Sequence, residues 1–148
     1  MKKSEIEKVI MENFLCRIAF RGKEYPYIAP FQYAFLDGTL YFHFTAYGRK
    51  MKLLREERKV CVEIEQYESD MSRYMFVSLT GTLSVVKDTD ERTKAIKIMR
   101  ETGKERLSRN FLVAHGFSQE ENWSSFTPEK PLTIVKLDAA TKSGLRSP

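Results

Sequence analysis

The residues best placed to do chemistry follow one another along a single stretch. Leu40-Tyr41-Phe42-His43-Phe44-Thr45 leads through Ala46-Tyr47-Gly48 into Arg49-Lys50 and then into a segment of helical spacing. A strand that runs into a helix start leaves free backbone N–H groups at the turn, and the helix dipole adds positive potential there. Gly48 lets the backbone come close to a ligand, Arg49 offers a fork of donors, and Lys50 adds a point charge. Together they describe an anion site of the kind that holds a phosphate. Arg49, Lys50, Lys52 and Arg55 also read as the solvated face of a basic helix, and the local pattern leaves these two readings level. His43 alternates with Tyr41 and Thr45. It is either a hydrogen-bonded structural residue or, beside a ligand, a group that donates a proton or contacts substrate.

Other chemistries lack their residues. No two glycines are separated by a single residue, so the dinucleotide fingerprint and the kinase glycine loop are missing. There is no P-loop and no Gly-x-Ser-x-Gly elbow. Glu56-Glu57 and Glu120-Glu121 lie on polar faces and read as solvated charge, not as a glycosidase pair. Cys16 alternates with Ile18 and Phe20, whereas Cys61 alternates with Glu63 and Glu65. The expectation is two reduced thiols, Cys16 in the core and Cys61 near a surface, with no metal site. Redox chemistry on this chain would need a borrowed cofactor.

The elements that must position these residues alternate between short strands and helices. Ser4-Glu5-Ile6-Glu7 reads as a capping box opening a first helix through Ile10. Strands are expected over 14–20 and over 25–36. Asp37-Gly38 supplies the positive φ values of a two-residue hairpin turn into a strand over 39–45. A helix follows over 49–57, then strands over 59–67 and 73–87, the latter bent at Gly81. Asp88 caps a helix that stops at Gly103, a further helix runs from Arg106 to His115, and a last strand covers 132–139. The pattern predicts a mostly β (α+β) fold, an antiparallel barrel of about six strands with peripheral helices.

The chain has 148 residues, of which 42% are hydrophobic, 12% aromatic and 30% charged, with a net charge of +5. This suits one globular domain over 1–148 and argues against disorder. No apolar run approaches the roughly 20 residues of a membrane helix, and the first residues carry no signal-peptide core. The expected setting is therefore cytoplasmic.

Tyr-Pro-Tyr-Ile-Ala-Pro-Phe-Gln-Tyr (25–33), Asp37-Gly38, the run from Leu40 to Lys50 and Val-Cys-Val-Glu-Ile (60–64) resemble the pyridoxamine 5′-phosphate oxidase-like split barrels, nearest the nitroimidazole-resistance branch. The resemblance extends through 74–81 and 133–138. It implies a six-stranded split barrel and a homodimer with FMN at the subunit interface. Carried over by position, Arg49 and Lys50 hold the phosphate, and His43, Phe44 and Thr45 line the strand end beside the ribityl chain. Backbone groups of Ile28, Ala29, Pro30 and Phe31 run along the ring. The implied activity is flavin-dependent oxidation or reduction of a small molecule. Phe44 stands where relatives often carry a small hydroxyl residue, which Thr45 is then expected to replace. Phe76 stands where relatives often place Ser or Gln at the ring. Trp123 either caps the flavin across the dimer or packs a loop on the barrel. Two other readings compete. One is the same barrel holding haem or a deazaflavin coenzyme, and the other is a basic nucleic-acid-binding module, ranked last because acidic residues are spread through the chain.

Overall fold

Asp37 and Gly38 both adopt positive φ, 49° and 79°, in the computed structural model, which describes residues 1–148. This turn joins strands β2 (Tyr27–Leu36) and β3 (Thr39–Phe44), with Leu36 opposite Thr39. The remaining strands are β1 (Leu15–Phe20), β4 (Lys59–Tyr67), β5 (Tyr74–Val85) and β6 (Thr133–Arg146). They close into a six-stranded barrel in the order β1-β2-β3-β6-β5-β4, with every neighbouring pair antiparallel. The helices lie outside the sheet order: α1 (Lys3–Glu12), α2 (Arg49–Glu56), α3 (Thr89–Arg106) and α4 (Arg109–Leu112). None is long and apolar enough to cross a membrane.

Strand alternation gives the barrel an inside. Phe20, Phe31, Phe42, Phe44, Val62, Ile64, Val77 and Leu79 fill it, and α1 and α2 add Ile6, Val9, Ile10, Leu53 and Leu54. A second apolar layer forms outside, where α3 lays Ala95, Ile96 and Met99 over Ala34, Tyr41 and Ile134. Burial of two sheet faces explains why β2 and β3 are apolar at nearly every position rather than at alternate ones.

Several boundaries differ from the sequence reading. Ser4 does not cap α1; the helix starts at Lys3, and the Glu5 carboxylate instead accepts from the Lys2 backbone N–H at 2.6 Å. Asp88 does cap α3, accepting from Glu91 N, but the helix runs through Gly103 to Arg106. The helix expected over 106–115 shrinks to α4 and a single 3-10 turn, Val113–His115, stopped by Gly116 at φ 85°. Strand β6 continues well past Ala139, because the ladder with β5 runs on to Met75 opposite Arg146. The expected bend at Gly81 is a register shift between Thr80 and Gly81 in that ladder.

Candidate functional site

The hairpin ladder between β2 and β3 stops at the pair Tyr33 and Phe42. β3 stays paired with β6 from Tyr41 onward, so beyond that pair His43 and Phe44 have only Ile134 and Thr133 opposite them. Residues 27–32 of β2 pair with β1 alone. The two strands therefore fork, and over 27–32 one backbone edge of β2 has no strand beside it. Unpaired edge groups are ready to bond a planar polar ligand.

The turn after β3 sits against this fork. Thr45 Oγ1 donates to the Tyr47 carbonyl at 2.9 Å, and Gly48, at φ 94°, redirects the chain into α2. A side chain at position 48 would be strained there. No side chain caps α2, so its first-turn N–H groups stay free for a ligand. The two cations turn back over the aromatic side chains of β2. Arg49 lies 4.5 Å from the centre of the Tyr27 ring, and Lys50 lies 4.5 Å from that of Phe31. Neither takes part in a salt bridge. Partial burial holds the Lys50 ammonium below its ordinary pKa, the response of a cation that lacks a counter-charge.

The nine residues expected at the site fall into three groups, the first of them, on the strands, split between the two faces of the barrel wall. Ile28 and Pro30 point outward and are exposed, while Ala29, Phe31 and Phe44 point into the barrel and are buried. Phe44 is fully buried and stacks on Phe31 with ring centres 5.0 Å apart. Its side chain is a wall of the core, so it offers a ligand only its backbone. Arg49 and Lys50 form the second group. His43 and Thr45 form the third, lining a cavity of about 220 Å³ together with Tyr47, His115 and Lys130. Trp123 does not lie free to cap a ligand. It is buried, with Nε1 donating to the Ser108 carbonyl at 3.3 Å.

His115 fills the fork on the outer side. Gln32 Nε2 donates to the Met99 carbonyl at 3.0 Å, which leaves its Oε1 to accept from His115 Nε2 at 2.8 Å. His115 Nε2 thus carries the ring hydrogen. Its Nδ1 is bare in the neutral ring and accepts from His43 Nδ1 at 3.0 Å. Burial is the main reason both rings stay neutral, aided by positive charge nearby. It pushes His43 down to about 4 and His115 to about 3. His43 is thus a hydrogen-bonded neutral ring in this fold, as its structural reading expects. The relay joins residues 32, 43 and 115, whose separation in sequence hides it. Only the period-two alternation that turns His43 outward pointed toward it.

A family model described as pyridoxamine 5′-phosphate oxidase matches residues 2–129. The chain belongs to that family. Among curated proteins none matches. Among solved structures, a FAD-binding protein from Mesorhizobium loti superposes with a TM-score of 0.73 at 18% identity, covering 100% of this chain and 96% of its own. A FAD-binding protein from Mycobacterium smegmatis gives 0.70 at 14%, over 99% and 95% of the two chains. A proposed 5-nitroimidazole antibiotic resistance protein from Bacteroides thetaiotaomicron gives 0.65 at 19%, over 97% and 82%. At these identities the likeness is one of fold, and the forked barrel is the split barrel expected of the family.

Proposed function

We propose that the chain is a homodimeric FMN-binding flavoprotein that oxidises or reduces a small molecule. The observation that carries this reading is the pair of unpaired cations, Arg49 and Lys50, at the uncapped start of α2 beside the open edge of β2. The residues fit the group. A phosphate dianion would accept from the first-turn N–H groups and both side chains, and would supply the counter-charge that Lys50 lacks. The ring would lie along backbone 28–31, with the Thr45 turn beside the ribityl chain. Bound flavin would supply hydride or single-electron transfer, and the chain would hold and orient it. The Phe31 and Phe44 stack keeps water from that wall of the site.

The dimer reading is supported by Leu15, Ile28 and Pro30, which are exposed on one outer face of β1 and β2 beside the same edge. A second subunit covering these apolar residues, which flank Arg17 on the same face, would close the site from outside. FAD shares the phosphate chemistry, and two neighbours in fold are described as binding it.

The deciding experiment is an absorbance spectrum of the protein mixed with FMN or FAD and then desalted. Retained flavin bands after FMN, with weaker retention of FAD, support the reading; retention of neither ends it.

A further inference from the structure

We propose that the cavity behind the fork is a second binding site, for a small neutral molecule that presents one O–H or N–H donor from an apolar body to His43 Nε2. The inference does not depend on flavin. It rests on the direction of the buried relay and on what surrounds its open end.

The relay has only one free terminus. Met99 O, Gln32, His115 and His43 Nδ1 are bonded in series, each to the next. His43 Nε2 is bonded to nothing. No buried side-chain nitrogen or oxygen in the fold lacks a partner, so this nitrogen is the part of His43 that reaches open space, in a residue only 7% exposed. The space it reaches is the cavity of about 220 Å³ that His43 lines. Since the single ring hydrogen of neutral His43 sits on Nδ1 and points inward along the relay, Nε2 can only accept. An open acceptor on a buried ring, held in orientation by two further side chains, resembles a built recognition point more than a core histidine, which satisfies both nitrogens within the protein.

The surroundings select the ligand. Lys130 and Glu121 are paired at 3.2 Å, so the rim carries no net charge, and the two imidazoles are neutral. Tyr47, Phe117, Pro131 and Leu132 supply apolar wall. Arg92 fixes that wall by donating to the carbonyls of Pro128 and Lys130, both at 2.8 Å, and of Leu132 at 3.1 Å. Positive charge from Lys50 and Arg92 disfavours a cation, a ligand without a donor hydrogen would face the bare Nε2 lone pair, and a purely apolar one would leave it unpaired. His115 and Gln32 are positioning residues in this arrangement, and they act only through His43.

The test uses the full chain with ¹⁵N-labelled histidine, followed by NMR, with phenol as the probe and toluene as the donor-free control. In the unliganded protein His43 is expected to show a bare Nε2 and a protonated Nδ1, and His115 the reverse. Phenol should shift His43 Nε2 saturably, while toluene should leave it in place. His115→Phe removes the acceptor that orients His43 and should weaken phenol binding by roughly threefold to tenfold. His115→Gln can still accept from His43 and donate to Gln32, so it should retain binding. A protonated Nε2 in the free protein, an Nε2 signal that phenol does not move, or equal phenol affinity in His115→Phe would each overturn the proposal. The tautomer reading on the unaltered chain decides it even if His115→Phe does not fold.

Discussion

Gly103 lies flat against the indole of Trp123. A methyl carbon added at Gly103 would fall inside the contact distance of three indole carbons, and Trp123 is 5% exposed with little room to retreat. The glycine is a close-approach position in mid-helix and not a helix stop. Two effects compete in Gly103→Ala. Better helix propensity would gain about 1 kcal/mol, whereas overpacking costs typically 1–3 kcal/mol. With the ring buried and itself hydrogen-bonded to Ser108, overpacking should win. The expected result is a net loss of about 1–2 kcal/mol in urea-monitored stability, and a stabilised variant would refute the packing argument.

This pair also shows what the sequence could and could not disclose. Elements defined by local chemistry were legible: the Asp37-Gly38 turn, the strand over 59–67 and the helix after Gly48 fall where their residues place them. Elements defined by a distant partner were not. The end of β6, Ala-Ala-Thr-Lys-Ser-Gly, has no apolar alternation because both its faces are largely exposed, and only the ladder with β5 keeps it extended. Gly103 depends in the same way on a tryptophan twenty residues later. The turn at 48–50 was legible as a donor-rich strand-to-helix junction, whereas the ring packing of Arg49 and Lys50, and the relay through Gln32 and His115, exist only once the barrel has closed.

Arg49 and Lys50 should act as a unit on flavin and hardly at all on folding. Both side chains lack ion-pair partners, so Arg49→Ala with Lys50→Ala gives up only cation–π contacts, about 0.5–1 kcal/mol each where exposed. Charge-assisted bonds to a phosphate are worth about 1.5–3 kcal/mol each. The double variant should therefore lose at least about a hundredfold in FMN affinity while its thermal midpoint without flavin moves little. Unchanged affinity in a fluorescence titration would remove both residues from the site.

The two cysteines should separate cleanly by reactivity. Cys61 is exposed on the outer face of β4, and Cys16 is 3% exposed within the barrel core. Burial also pushes the Cys16 thiol well above its ordinary pKa, so it holds almost no reactive thiolate at neutral pH. One thiol per chain should react with a small disulfide reagent in the native state, and the second only after denaturation. Two fast thiols would mean that the barrel opens readily or that Cys16 is not where the fold places it.

Stability should fall as the solution is acidified, and the histidine pair should be a main cause. Both rings are depressed in the folded state, His43 from 6.5 to about 4 and His115 from 6.5 to about 3, chiefly by burial. In the unfolded chain they bind protons near their ordinary pKa. Between these values the unfolded state holds more protons, so unfolding is favoured as pH falls. The contribution is complete above the ordinary histidine range, shrinks on descending through it, and levels off below the folded values. From about pH 7 to about pH 5 each imidazole accounts for at most about 2 kcal/mol. His115→Gln keeps the hydrogen bonds of the relay but removes one titrating ring. Its urea midpoint should fall by a visibly smaller amount over the same pH interval, close to half if the pair dominates. An identical pH slope in the variant and the parent would show that His115 is not buried as a neutral ring, and would break the relay at its centre.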